Sequence, residues 1–168
     1  MLQFQTVSPE EMQENPFRLI GKDWMLVTAG TPDSYNTMTA SWGGVGVLWN
    51  KNVCFVFIRP SRYTYEFIEQ NDLLTLSFFE EQYRNALKIC GSKSGREIDK
   101  AKVCALTSFV TDAQGISFEE ARLVLTCKKL YACDLTPDAC LDPSILQNYQ
   151  NGDFHRMYVC EIINAVQK

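Results

Sequence analysis

The sequence has one histidine, His155, and its 16 Lys and Arg are outnumbered by 20 Asp and Glu, for a net charge of −4. A chain with so little positive charge has no excess cations to neutralise a nucleic-acid backbone or an anionic membrane surface. Neither partner is expected, and any basic residue at a site must act locally. Long apolar runs are also missing: no window approaches the roughly 20 residues of a spanning helix. The start, Met1-Leu2-Gln3-Phe4-Gln5, has no basic run followed by an apolar stretch, so a cytoplasmic protein without a leader is expected.

A paired cysteine framework is lacking too. Seven cysteines are an odd number, and most sit inside apolar runs, as Cys54 and Cys160 do, which suits small buried hydrophobes. Cys127, Cys133 and Cys140 with His155 lack the close pair spacing of zinc ligands, so no metal is expected. No nucleophile motif accompanies the lone histidine, which argues against acyl transfer. Gly43-Gly44-Val45-Gly46 has the wrong spacing for a dinucleotide fingerprint. The run from Gly91 to Lys100 is not a P-loop, because Gly95 is followed by Arg96 and Glu97 rather than Lys and Ser or Thr.

What remains is enough apolar sequence for one sizeable core, read as a single domain over residues 1–168. Strands are expected at residues 24–31, 36–41, 52–58, 73–79, 107–110, 121–132 and 156–166. The run at 52–58 is apolar at consecutive positions and reads as buried on both faces. Helices are expected at 62–70, capped by Ser61, and at 82–90, stopped by Gly91, with a short one after Asp142-Pro143. Many strands without regular strand-helix alternation predict a mainly β fold, an antiparallel barrel with accessory helices.

Four segments interrupt the hydrophobic runs. Asn36, Thr37, Met38, Thr39, Ala40, Ser41 and Trp42, followed by two glycines, offer small and hydroxylated residues that let a flat heteroaromatic ring approach the backbone. The same composition suits an ordinary Thr-rich edge strand. Arg59, Pro60, Ser61, Arg62, Tyr63 and Thr64 put two guanidinium groups and two hydroxyls around a helix start, where a phosphate is the natural ligand. A capped surface helix is the alternative. Ser92 to Arg96 and Lys100 form a flexible basic loop able to join that anion site, and His155 opens the last strand.

In order and wording these segments resemble the flavin reductase-like FMN-binding split-barrel family, over residues 24–162. The most specific parts are 36–42, the Arg59-Pro60-Ser61-Arg62-Tyr63-Thr64 run, Ser94-Gly95-Arg96 with Asp99-Lys100, and 155–162. The resemblance implies a homodimer of six-stranded antiparallel Greek-key split barrels with FMN near the subunit interface. It implies that residues 36–41 line the isoalloxazine, that Arg59, Ser61, Arg62 and Thr64 meet the phosphate end, and that Ser94 and Lys100 complete that end. Glu97 stands where the family has Asp, and Ala101 where it has an aromatic residue.

The activity so implied is hydride or electron transfer from NADH or NADPH through flavin to an acceptor, with His155 touching flavin or nicotinamide. The cofactor carries such chemistry, so no acid/base pair is required. Two alternatives stand beside it: an FMN-containing electron carrier of the flavoredoxin kind, reduced by a protein partner, and a split barrel that binds another cofactor or none.

Overall fold

A computed structural model describes residues 4–168; the opening Met1-Leu2-Gln3 of the N-terminal reading lies outside them. The chain begins with β1 (Gln5–Thr6), α1 (Pro16–Arg18) and a π turn over Leu19–Asp23. Two hairpins follow, β2 (Met25–Thr31) with β3 (Ser34–Ala40), then β4 (Gly43–Leu48) with β5 (Lys51–Ile58). Next come α2 (Tyr63–Gln70), β6 (Leu73–Phe78), α3 (Arg84–Ser92) and α4 (Lys100–Val103). A small hairpin, β7 (Ser108–Val110) and β8 (Ile116–Phe118), precedes the two longest strands, β9 (Leu123–Asp134) and β10 (Arg156–Gln167).

The main sheet is antiparallel, in the order β3-β2-β6-β9-β10-β5-β4, with β1 added beside β10. Its two edges, β3 and β4, are consecutive in the chain and joined only by Ser41 and Trp42. Cα atoms lie about 3.8 Å apart per residue, so the two ends of the sheet must come within roughly 11 Å of each other there. The sheet therefore curls into a barrel split along one seam. A Cβ on Gly43 of β4 would lie 2.8 Å from the Phe55 carbonyl oxygen of the paired strand β5 and 3.3 Å from Cε of Met25 on β2, so glycine suits this close approach.

Alternation along the strands separates two cores. Met25, Val27, Met38, Val56, Leu76, Leu125 and Tyr158 fill the barrel, with the thiols of Cys54, Cys127 and Cys160 among them. The opposite face, with Leu26 and Val124, is covered by Leu87 and Cys90 of α3, Ala101 of α4 and Phe118 of β8. All seven cysteines are free, and four are buried. Buried hydroxyls seat the small hairpin on the barrel wall: Ser77 meets Ser117 at 2.9 Å, and Thr111 meets Thr126 at 3.1 Å.

The mainly β architecture with accessory helices agrees with the sequence reading, but the strands exceed the six expected. Residues 43–48, where no strand was expected, form β4 and pair with β5 through a tight turn in which Trp49 and Asn50 both have positive φ, 53° and 56°. That is the twist a two-residue hairpin needs, and Trp49 adopts it without glycine's freedom. β5 is not buried throughout: Lys51 is exposed, and Asn52, Phe55 and Phe57 are partly so. Gly91 does not stop α3, which runs to Ser92 and packs so close to β3 that a Cβ on Gly91 would sit 3.3 Å from Cβ of Thr39. The segment after Asp142-Pro143 is a 3-10 helix, Pro143–Tyr149. Among the described residues no helix is long and apolar enough to cross a membrane.

Candidate functional site

At the seam, β3 and the Ser41-Trp42 link face β5 and the first residue before β10. Between them lies a cavity of about 190 Å³, lined by Met38, Thr39, Ala40, Ser41 and Trp42 on one side and by Phe57, Arg59, Arg62 and His155 on the other. The small residues of β3 leave its backbone open to a planar ligand, while Trp42 and Phe57 supply aromatic walls. The strand hydroxyls are mostly committed elsewhere. Thr37 bonds Thr28 at 2.8 Å and the Val27 carbonyl at 3.3 Å, and Thr39 donates to the Leu87 carbonyl at 2.5 Å.

A second cavity of about 210 Å³ adjoins the first, with Arg62 in the walls of both. It is enclosed by Ser61, Tyr63 and Thr64, by Gly91 through Gly95, and by Lys100. Donors dominate it. Among the described residues the Arg62 guanidinium makes one long bond, 3.5 Å to the Cys90 carbonyl, although it carries five N–H donors. Burial, and then Arg59, lower its pKa from the usual guanidinium value. Lys100 is 5% exposed and donates to the carbonyls of Thr37 (2.8 Å) and Cys90 (2.9 Å), leaving one of its three protons uncommitted. Burial lowers its pKa to about 8. The start of α2 has no side-chain cap, so its first N–H groups are open to an anion. Unspent cationic donors beside an uncapped helix start fit a phosphate group.

The sequence-predicted residues divide between these spaces. Met38 through Trp42 gather with Arg59, Arg62 and His155; Ser61, Tyr63, Thr64, Ser94 and Lys100 gather with Arg62. Pro60 ends β5 and turns the chain toward the second group. Asn36 and Thr37 lie one layer away, in the wall of a larger cavity of about 500 Å³. That cavity, on the far side of the Gly95 loop, has both acids (Asp33, Glu97 and Asp99) and cations (Arg96 and Lys100) in its wall. Asn36 ties the layers together by donating to Thr64 Oγ1 at 2.7 Å.

Ser61 is not the helix cap. Residue Arg62 occupies that position, while Ser61 donates from its hydroxyl and, at 3.4 Å, from its backbone N–H to the carboxylate of Asp153. Arg59 is also engaged: its guanidinium donates to the carbonyls of Asp153 and Asn148, both at 2.9 Å, and lies over the Tyr149 ring at 5.0 Å. Together they clamp the segment before β10 onto the site.

His155 is 8% exposed and stands 5.3 Å, centroid to centroid, from Trp42. Its Nδ1 lies 2.8 Å from the Tyr149 hydroxyl. Burial first, and the Arg59 charge second, lower its pKa to about 4; the imidazole is neutral at physiological pH. Sequence reasoning missed Phe57, Tyr149 and Asp153. Phe57 read as core, and nothing local marks a tyrosine six residues before a histidine as its partner. Among the described residues no group of three His, Cys, Asp or Glu side chains is placed to hold a metal ion.

The fold is a split barrel with a cavity at its seam and a donor-rich cradle beside it. The chain belongs to the flavin reductase like domain family, whose model matches residues 17–168. A search of curated proteins found no match. Solved structures share the fold. A flavoredoxin from Methanosarcina acetivorans aligns with TM-score 0.69 at 21% identity, covering 87% of this chain and 68% of that one. An FMN-binding domain of a flavin reductases-like enzyme from Shewanella baltica aligns with TM-score 0.71 at 18% identity, covering 98% and 76%. An NADH:FAD oxidoreductase from Streptomyces globisporus, in complex with NAD and FAD fragments, aligns with TM-score 0.64 at 14% identity, covering 87% and 74%.

Proposed function

We propose that the chain binds FMN across the two adjoining cavities and transfers hydride from NADH or NADPH to an acceptor. The observation that carries this reading is Arg62: one guanidinium forms part of both the seam cavity and the donor-rich cradle and has, among the described residues, a single long hydrogen bond of its own. Met38, Thr39, Ala40, Ser41 and Trp42 would line the isoalloxazine, with Asn36 and Thr37 behind them. Arg62, Thr64, Ser94 and Lys100 would hold the phosphate. Arg59, Ser61 and Tyr63 shape the surrounding wall, and Pro60 turns the chain between them. Bound there, FMN supplies a ring that takes up hydride or a pair of electrons.

The chain's own part is placement. Trp42 and Phe57 would supply aromatic walls against the ring. His155 is held uncharged beside the ring cavity, where it acts as a polar contact and not as a base. The cationic donors of the cradle would hold the phosphate and so orient what is attached to it.

Titrating FMN into the protein and then mixing with NADH or NADPH tests both halves. Expected are saturable binding and bleaching of the flavin absorbance by at least one nicotinamide. A protein that takes up no FMN would overturn the site assignment. If FMN binds but neither nicotinamide bleaches it, the reductase activity is wrong and an electron carrier reduced by a protein partner takes its place. One feature favours that second reading: an apolar groove beside the ring cavity, sharing Ser41 and Trp42 with it and including exposed Phe17, offers a docking surface at the mouth of the site.

A further inference from the structure

Tyr149 belongs to no motif of the family resemblance, yet it is the protein partner of the only imidazole in the chain. Its ring stacks on Phe154 at 4.3 Å and lies under the Arg59 guanidinium. Arg59 in turn is fixed by the carbonyls on either side of the turn, Asn148 and Asp153. Two contacts therefore set the phenol before it meets His155. The hydroxyl then lies 2.8 Å from Nδ1, inside a buried pair. The other ring nitrogen, Nε2, has no protein partner among the described residues, and His155 is part of the lining of the ring cavity.

Two proton arrangements satisfy a hydroxyl facing Nδ1. Either Tyr149 donates to a bare Nδ1, which places the imidazole proton on Nε2, or Nδ1–H donates to the phenol oxygen, which leaves Nε2 bare. A phenol O–H is the more acidic donor, and a bare imidazole nitrogen is the more basic acceptor. The first arrangement matches the better donor with the better acceptor.

We propose that Tyr149 is a positioning residue that locks His155 as the Nε2–H tautomer, so the ring cavity always meets an uncharged N–H donor and never a bare nitrogen. This rests on the FMN reading for its purpose, though not for its test. An N–H donor stabilises electron density arriving on a neighbouring ring, whereas a bare nitrogen opposes it. Burial and Arg59 hold the imidazole neutral, against the weaker opposing influence of Asp153. Arg59 and Arg62 in the cavity wall, Asp153 beside the ring and Tyr149 at Nδ1 are the charged and titratable groups facing it.

Because His155 is the only histidine, long-range ¹H–¹⁵N NMR of the flavin-free protein reports its two ring nitrogens without assignment. Expected is a protonated Nε2 and a bare Nδ1, favoured about tenfold, at pH 7. A protonated Nδ1, or an even mixture, overturns the proposal. Tyr149→Phe keeps the ring stack and removes only the hydroxyl, so it should shift the ratio toward an even mixture; an unchanged ratio in a folded variant also overturns it. In protein loaded with FMN, the same substitution should make the flavin midpoint potential more negative, and an unchanged potential would show that the tautomer does not act on the ring. If no FMN binds at all, the functional reading fails while the tautomer result still stands or falls alone.

Discussion

Gly95 is pressed against Asn36: a Cβ at Gly95 would overlap the Asn36 side-chain oxygen, lie 2.8 Å from its Cγ and reach 3.1 Å from Cδ1 of Tyr63. This contact holds the Ser94-Gly95 loop against β3, and so closes the wall between the donor-rich cradle and the larger cavity behind it. Gly95→Ala must displace Asn36 and break its bond to Thr64. Such overpacking costs about 1 to 3 kcal/mol. Urea unfolding should show a loss in that range and weaker FMN binding; a variant as stable as the parent would mean that the loop moves aside freely.

FMN should bind at least about tenfold tighter than riboflavin, which lacks only the phosphate. Each hydrogen bond to a charged group contributes about 1.5 to 3 kcal/mol before ordering costs, and about 1.4 kcal/mol is a factor of ten. Arg62→Ala should weaken FMN far more than riboflavin. Fluorescence titration of both flavins checks this, and equal affinities in the parent protein would mark the arginine as an ordinary surface group.

Alkaline pH should loosen FMN through Lys100. Its ammonium, brought down to about 8 chiefly by burial, loses its proton above that pH in the free protein, whereas a bound phosphate dianion favours keeping it. Affinity should therefore be level from pH 7 to 8 and fall above 8 by up to about tenfold per unit. Lys100→Met should bind more weakly at pH 7 and lose the slope. Identical profiles for the two proteins would remove Lys100 from the phosphate site.

His155 should make the fold acid-sensitive. Its folded pKa, about 4, lies below the ordinary 6.5, so the unfolded chain takes up the proton first. The stabilisation is complete above pH 6.5 and is lost as pH falls toward 4, by at most about 3 kcal/mol. The stability difference between the parent and His155→Gln, followed by urea unfolding over this window, should shrink as acid is added. A constant difference would contradict a depressed folded pKa.

Light scattering should find a homodimer. Trp49 is 54% exposed at the β4–β5 turn, with Val47 exposed on the same hairpin and Tyr131 at 6.1 Å from the Trp49 ring. Trp49 also holds a left-handed backbone, at a cost of about 1 to 3 kcal/mol, and an aromatic patch of this kind suits an interface. A monomer that retains stoichiometric FMN would remove the need for one.

Local pattern accounts for much of this fold. The strands at 24–31, 73–79 and 156–166 were legible because β-branched and aromatic runs end in clear breakers. β4 was not, since three of its six residues are glycine and its strand character comes from pairing with β5. Arg62 and Lys100 could be read as cationic groups near a helix start. The commitment of Arg59 and Ser61 to Asp153 could not, because the partners are 92 or more residues apart in the sequence. Asn36 looked like a ring-lining residue, and only the three-dimensional layering turns it toward Thr64.

The link between β3 and β4 has a further consequence. Since Ser41 and Trp42 alone join the two margins of the sheet, chain length acts as a fixed spacer that sets the gauge of the slot opening beside them. Side-chain changes in the slot alter its chemistry, while its breadth follows from how many residues the link contains. Relatives with longer or shorter links would admit ligands of different thickness through the same barrel, so a one-residue insertion here is a more direct handle on selectivity than any substitution in the walls.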